Sequence, residues 1–188
     1  MKNFKVSDIV KPAVVLLAIC LVASFLLAMT NKVTAPRIEE LAKQTELKTR
    51  QEVLPAASEF EEVSQGGVEY CIGKDAQGSA VGFVFITMTK GYGGDVKVMT
   101  GVTSEGKVAG IQILALNETA GLGMRAKEES FLRQFVDKVA GIGVAKNNPG
   151  ENEIQALTGA TITSKAVTKA VNEALTLYET VKGGAYNG

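Results

Sequence analysis

The chain has 188 residues, sets 20 lysines and arginines against 20 acids, and holds 20 glycines but neither histidine nor tryptophan. Charge balance gives no electrostatic footprint for a nucleic-acid partner, and the missing histidine removes a histidine-based hydrolytic triad. Cysteines at 20 and 71 form no ligand cluster, so no zinc or iron–sulfur centre is expected, and no catalytic side chain is assigned.

Residues 1–11, with Lys2, Lys5 and Lys11, lead into an uncharged run of 20 residues at 12–31. As a helix this run rises about 30 Å, the thickness of a bilayer's hydrocarbon core, so it reads as a transmembrane helix. A cleaved signal peptide is the competing reading. The run is longer than a usual signal core, and the candidate cleavage site Val33-Thr34-Ala35 is followed by Pro36, so an uncleaved anchor in the lipid bilayer is preferred. Lys32, Arg37, Lys43 and Lys48 lie beyond the run, so charge alone sets no orientation.

Residues 32–55 read as a juxtamembrane stalk. Pro36 suits a first helical position, Ile38, Leu41, Ala42 and Thr45 form a modest stripe, and Pro55 ends the segment. A partner-binding helix is the alternative. Residues 56–188 form the domain proper. Strands are expected at Val68–Lys74, Ala80–Thr89, Asp95–Thr103 and Lys107–Leu116, paired as two hairpins. A short helix is expected over Ser130–Val139, and a long one over Thr163–Lys182, whose apolar residues recur every three to four positions. The fold class is α+β: an antiparallel sheet packed with helices, tethered by one N-terminal transmembrane helix.

Two loops carry chemistry. Asn117-Glu118-Thr119-Ala120-Gly121-Leu122-Gly123-Met124 follows a strand, and its glycines permit close approach of a flat ligand. Thr158-Gly159-Ala160-Thr161-Ile162-Thr163-Ser164 opens the last helix, where unpaired amides and the positive end of the dipole welcome a phosphate. On the residues alone, a plain connecting loop and a Thr- or Ser-capped helix start without a ligand are the preferred readings of the two segments.

Together the apolar span, Gly91-Tyr92-Gly93-Gly94, Glu118-Thr119-x-Gly121-Leu122-Gly123 and Thr158-Gly159-Ala160-Thr161-x-Thr163-Ser164 resemble the FMN-binding domain family. Within it the pattern is most similar to the G-subunit family of Rnf-type ion-translocating ferredoxin:NAD oxidoreductases, relatives of the C subunits of sodium-pumping NADH:quinone reductases. The resemblance implies FMN bound covalently, as a phosphoester placed on Thr161 by a flavin transferase. It implies a recognition turn at Thr158, Gly159 and Ala160, and a flavin pocket lined by Glu118, Thr119, Gly121, Leu122 and Gly123. Backbone amides near Thr163 and Ser164 would hold the phosphate, with Lys165 as counter-charge. The expected role is an electron relay in the cell (inner) membrane, with residues 1–11 cytoplasmic and the domain extracytoplasmic. The expected partners are the other members of such a complex, of the A, B, C, D and E types.

Two positions depart from the family pattern. Gln155 stands where an acidic residue often precedes the hydroxyl run, and Ala120 where proline is frequent in the second motif. Two competing readings are a stand-alone membrane-tethered flavoprotein reducing an extracellular acceptor, and a scaffold with Thr161 unmodified.

Overall fold

The computed structural model describes residues 6–185 and divides the chain into two compact units, Met1–Glu46 and Leu47–Gly188. The first unit is helical. Helix α1 spans Val6–Val53, and its stretch Ala13–Ala35 is 23 residues long with a mean hydropathy of 2.7, enough by length and composition to cross a membrane. The helix runs through position 36, where the sequence suggests a fresh start. A proline deletes one donor and strains one turn, and a helix of 48 residues continues across that loss. Thr30 turns its hydroxyl back onto the Leu26 carbonyl at 2.8 Å, and Thr34 does the same to Thr30, so neither hydroxyl is left unbonded in apolar surroundings.

The second unit holds a five-stranded antiparallel sheet in sequential order: β1 (Glu59–Gln65), β2 (Val68–Lys74), β3 (Ala80–Lys90), β4 (Asp95–Thr103) and β5 (Val108–Leu116). The two expected hairpins are present, and β1 adds an edge strand that alternation does not reveal. Its sequence is Glu-rich and mostly exposed, but Gly66-Gly67, with φ of 61° and 80°, makes the tight turn that pairs it with β2. After the sheet come a 3₁₀ turn (Gly123–Lys127), α2 (Glu129–Leu132) and a second 3₁₀ turn (Arg133–Phe135). This helical stretch stops short of Val139, because Asp137 and Lys138 pair with Val108 at the start of β5. A short parallel pair follows, β6 (Gly143–Ala145) with β7 (Glu153–Gln155), and then α3 (Thr161–Ala185).

Helix α3 covers one face of the sheet. Ala166, Val167, Ala170, Val171, Ala174 and Leu175 pack with Phe83, Phe85, Val96, Val98, Val102 and Ile111 in the main core. Two strand hydroxyls fix its register: Thr87 donates to the Ala170 carbonyl at 2.9 Å and Thr89 to the Ala166 carbonyl at 2.8 Å, both buried. The opposite face receives residues 53–57. Val53, Leu54 and Ala57 pack there with Cys71, Val84 and Met99, and Arg50 meets Glu62 of β1 at 2.7 Å. The chain lies so close to the sheet that a Cβ on Gly101 would sit 2.1 Å from the Val53 carbonyl oxygen.

Thr100 is fully buried between Phe85 and Ile111 in the strand register, and its hydroxyl has no hydrogen-bond partner among the described residues. A buried unsatisfied hydroxyl costs about 1–3 kcal/mol, so Thr100→Val raises unfolding stability by about 1 kcal/mol. Its neighbour behaves oppositely. Gly101→Ala forces the Val53 segment off the sheet and costs at least about 1–3 kcal/mol. Urea denaturation of the two variants in detergent checks the opposite signs.

Candidate functional site

The register of α3 on β3 brings the helix's N-terminus to the loop that leaves β3. The helix begins at Thr161, two residues before the sequence-expected start. The turn before it is tight: the Ala160 amide bonds the Leu157 carbonyl at 2.9 Å, and Gly159 takes the left-handed conformation at φ 78°. Ser164 fastens that turn from behind. Its hydroxyl accepts the Leu157 amide at 2.9 Å and donates to the Ala160 carbonyl at 3.0 Å, while its amide also reaches Ala160. The free donors therefore end one residue earlier than the sequence suggests. The amides of Thr161, Ile162 and Thr163 have no acceptor among the described residues.

These amides open onto a cleft of about 480 Å³. One wall comes from the loops after β3 and β5, with Tyr92, Glu118, Thr119, Leu122 and Gly123; the other is Gly159 through Thr163. Thr163 is 1% exposed, lines the cleft, and has no hydrogen-bond partner for its hydroxyl among the described residues. Gly123 makes room beside it, since a Cβ there would stand 2.8 Å from Thr163 Oγ1 and 2.8 Å from Glu118 Cβ. Glu118 accepts the Tyr92 amide at 2.7 Å and the Gly93 amide at 3.3 Å, joining the two glycine loops.

Eight of the eleven sequence-expected residues meet in this cleft: Glu118, Thr119, Leu122, Gly123, Gly159, Ala160, Thr161 and Thr163. Three do not form its wall. Thr158 is exposed on the turn, Gly121 is exposed where the loop bends at φ 76°, and Ser164 is fully buried behind the turn. Lys165 is exposed on the first turn of α3. Sequence reasoning missed Tyr92 and Ile162 as lining residues. An aromatic inside a glycine loop was the available signal for the first; the second shows only once the helix start is known.

A helix N-terminus with three free amides is an anion site, and its volume lies within the roughly 300–1,000 Å³ of small-ligand sites. Tyr92, Leu122 and Ile162, at 72%, 44% and 55% exposure, give the same cleft an apolar rim. Phosphate at one end and a planar apolar body along the rim is the chemistry of a phosphorylated ring cofactor. This geometry and fold define the class: a cofactor-binding α+β domain behind an N-terminal apolar helix.

Residues 91–176 match the FMN-binding domain model, and residues 1–53 match that of the RnfG N-terminal region. The chain is 40% identical over 189 residues to the G subunit of the Na⁺-translocating ferredoxin:NAD⁺ oxidoreductase complex of Acetobacterium woodii, covering 90% of this chain and 91% of the relative. It is 36% identical to the G subunit of the proton-translocating ferredoxin:NAD⁺ oxidoreductase complex of Clostridium ljungdahlii, over 88% of this chain and 89% of that one. The chain belongs to the G-subunit family of Rnf-type ion-translocating oxidoreductase complexes. The solved structure of NqrC from Shewanella oneidensis shares the fold, with a TM-score of 0.55 at 15% identity, over 72% of this chain and 74% of its own.

Gly123→Ala tests the cleft. The added methyl group enters the space beside Thr163 and Glu118, at an overpacking cost of about 1–3 kcal/mol that leaves the fold intact. Flavin per purified chain, read by absorbance, falls severalfold, while circular dichroism keeps its native shape.

Proposed function

We propose that this chain carries FMN as a phosphoester on Thr161 and works as the electron-relay subunit of a membrane-bound, ion-translocating oxidoreductase complex. The observation that carries the reading is the start of α3. Thr161 is half-buried at the first helical position, next to three unpaired amides and the buried hydroxyl of Thr163, inside the segment that matches the FMN-binding domain.

Bound there, FMN would supply the one- and two-electron chemistry that no side chain of this protein supplies. The residues do the rest. The α3 N-terminus would offset the single negative charge of the phosphodiester through the amides of Thr161, Ile162 and Thr163, with the Thr163 hydroxyl as a further donor. Gly123 and Gly159 keep side-chain bulk out of the slot, and Tyr92, Leu122 and Ile162 offer apolar surface to a ring system. A flavin transferase would move the FMN group of FAD onto Thr161 Oγ1, the pyrophosphate bond breaking and AMP leaving as the ester forms, and Thr158, Gly159 and Ala160 form the turn it would recognise. Gln155, at the end of β7 in place of an acidic residue, has its backbone amide held by the Gln134 side chain at 2.7 Å.

The stretch Ala13–Ala35 serves as a single membrane anchor, and the domain lies on the extracytoplasmic side of the cell membrane. Its 20-residue uncharged core offers no ion path, so translocation belongs to the partner subunits. Flavin fluorescence that survives denaturing electrophoresis checks the covalent bond. Thr161→Val abolishes it and Thr158→Val retains most of it; fluorescence persisting in Thr161→Val would remove Thr161 as the attachment site.

A further inference from the structure

We propose that Glu118 is a positioning residue: its carboxylate fastens the Gly91–Gly94 loop, and with it Tyr92, to the cleft wall and sets the reduction potential of a flavin held there. The second half rests on the FMN reading above; the first does not.

The loop has given up side chains in order to press against residues 117 and 118. A Cβ on Gly91 would fall 2.4 Å from Glu118 Oε1, and one on Gly93 would fall 2.4 Å from the Asn117 carbonyl oxygen. The loop's internal backbone bond is Gly91 amide to Gly94 carbonyl at 2.8 Å. The bonds that tie it across to the second loop are those of the two Glu118 oxygens with the Tyr92 and Gly93 amides. Tyr92 is 72% exposed and lines the cleft, so its placement depends on this backbone clamp rather than on burial of its ring.

The same carboxylate is electrically distinctive. The other side chains of the cleft are threonines, Leu122, Ile162, Ala160 and Tyr92, so Glu118 is the formal charge of the wall. It makes no ion pair among the described residues; two neutral amides solvate it. Each electron that enters a flavin adds negative charge unless a proton follows. A fixed carboxylate in a partly enclosed cleft opposes that charge more strongly than it would in water. Glu118 therefore holds the potential low, and removing its charge raises it.

The test uses the full chain in detergent as wild type, Glu118→Gln and Glu118→Ala, with reductive titration by dithionite and hydrogen exchange of the 91–94 segment. Glu118→Gln keeps one of the two acceptor oxygens and turns the other into a donor, so it loads flavin and keeps the shorter-bonded Tyr92 amide protected while the Gly93 amide loses its partner. Its midpoint moves positive by about tenfold in the one-electron equilibrium, about 59 mV. In Glu118→Ala the Tyr92 and Gly93 amides exchange at least tenfold faster than in wild type. An unchanged or lower potential in Glu118→Gln, or a folded Glu118→Gln chain that takes no flavin, overturns the role in potential. Unprotected loop amides in wild type, or unchanged exchange in Glu118→Ala, overturns the clamp. A wild-type chain without bound flavin sinks the FMN reading and with it the role in potential, while exchange, which needs no flavin, still decides the clamp.

Discussion

Two hydroxyl groups on one strand fix the geometry on which the site depends. Thr87 and Thr89 stand two residues apart on β3, about 7 Å along a strand, and their acceptors on Ala170 and Ala166 stand four residues apart, about 6 Å along a helix. The two spacings nearly match, and alanine at both helix positions lets the backbone come close enough to accept. The order is antiparallel, because the later threonine meets the earlier alanine. Moving along β3 past Thr89 leads to Gly91 and Tyr92; moving back along α3 from Ala166 leads to Thr161. A strand's exit loop and a helix's N-terminus are thus brought to one place by a hydrogen-bonded register rather than by the apolar core alone, which would tolerate a slide.

Glycine does two different jobs on the two faces of the same sheet. On the outer face Gly82 and Gly101 let the segment after α1 lie directly against the strands, where an added Cβ would strike Leu54 or the Val53 carbonyl. That contact ends α1 on the domain itself, with Val53 and Leu54 buried and Arg50 paired to Glu62. On the functional side Gly123 keeps open a slot between a hydroxyl and a carboxylate. In one place the missing side chain is replaced by protein backbone; in the other it leaves room for a ligand. Composition alone, which shows only abundant glycine, cannot separate these uses.

What the sequence disclosed follows from which interactions are local. β3, β4 and α3 were readable because Phe83, Phe85, Val96 and Val98, and the alanine–valine stripe from Ala166, repeat at the period of their own element. β1 was not, since its partner supplies its pairing and its glutamates face water. Pro36 misled because its helix-starting preference is weak beside the continuity of a long apolar helix. The site was legible as two loops with family motifs, and most of their residues do share the cleft. The number of free amides, the burial of Ser164 behind the turn and the inward hydroxyl of Thr163 were not legible. Each depends on where α3 begins, and the tight turn at Gly159 and the register with β3 decide that.

The electrostatics of the cleft follow from the same arrangement. A helix end and a carboxylate face one small volume, the first with partial positive charge on backbone amides and the second with a full negative charge solvated by two other backbone amides. Neither field comes from a mobile cation or a titrating imidazole, so the field within the cleft is set by backbone geometry and one fixed side chain. A ligand with an anionic end and a polarisable ring would be oriented by this asymmetry, its phosphate at Thr161–Thr163 and its ring toward Tyr92 and Leu122. A chain without histidine suits such a task, because its contribution is a fixed position and a fixed field around chemistry that a cofactor brings.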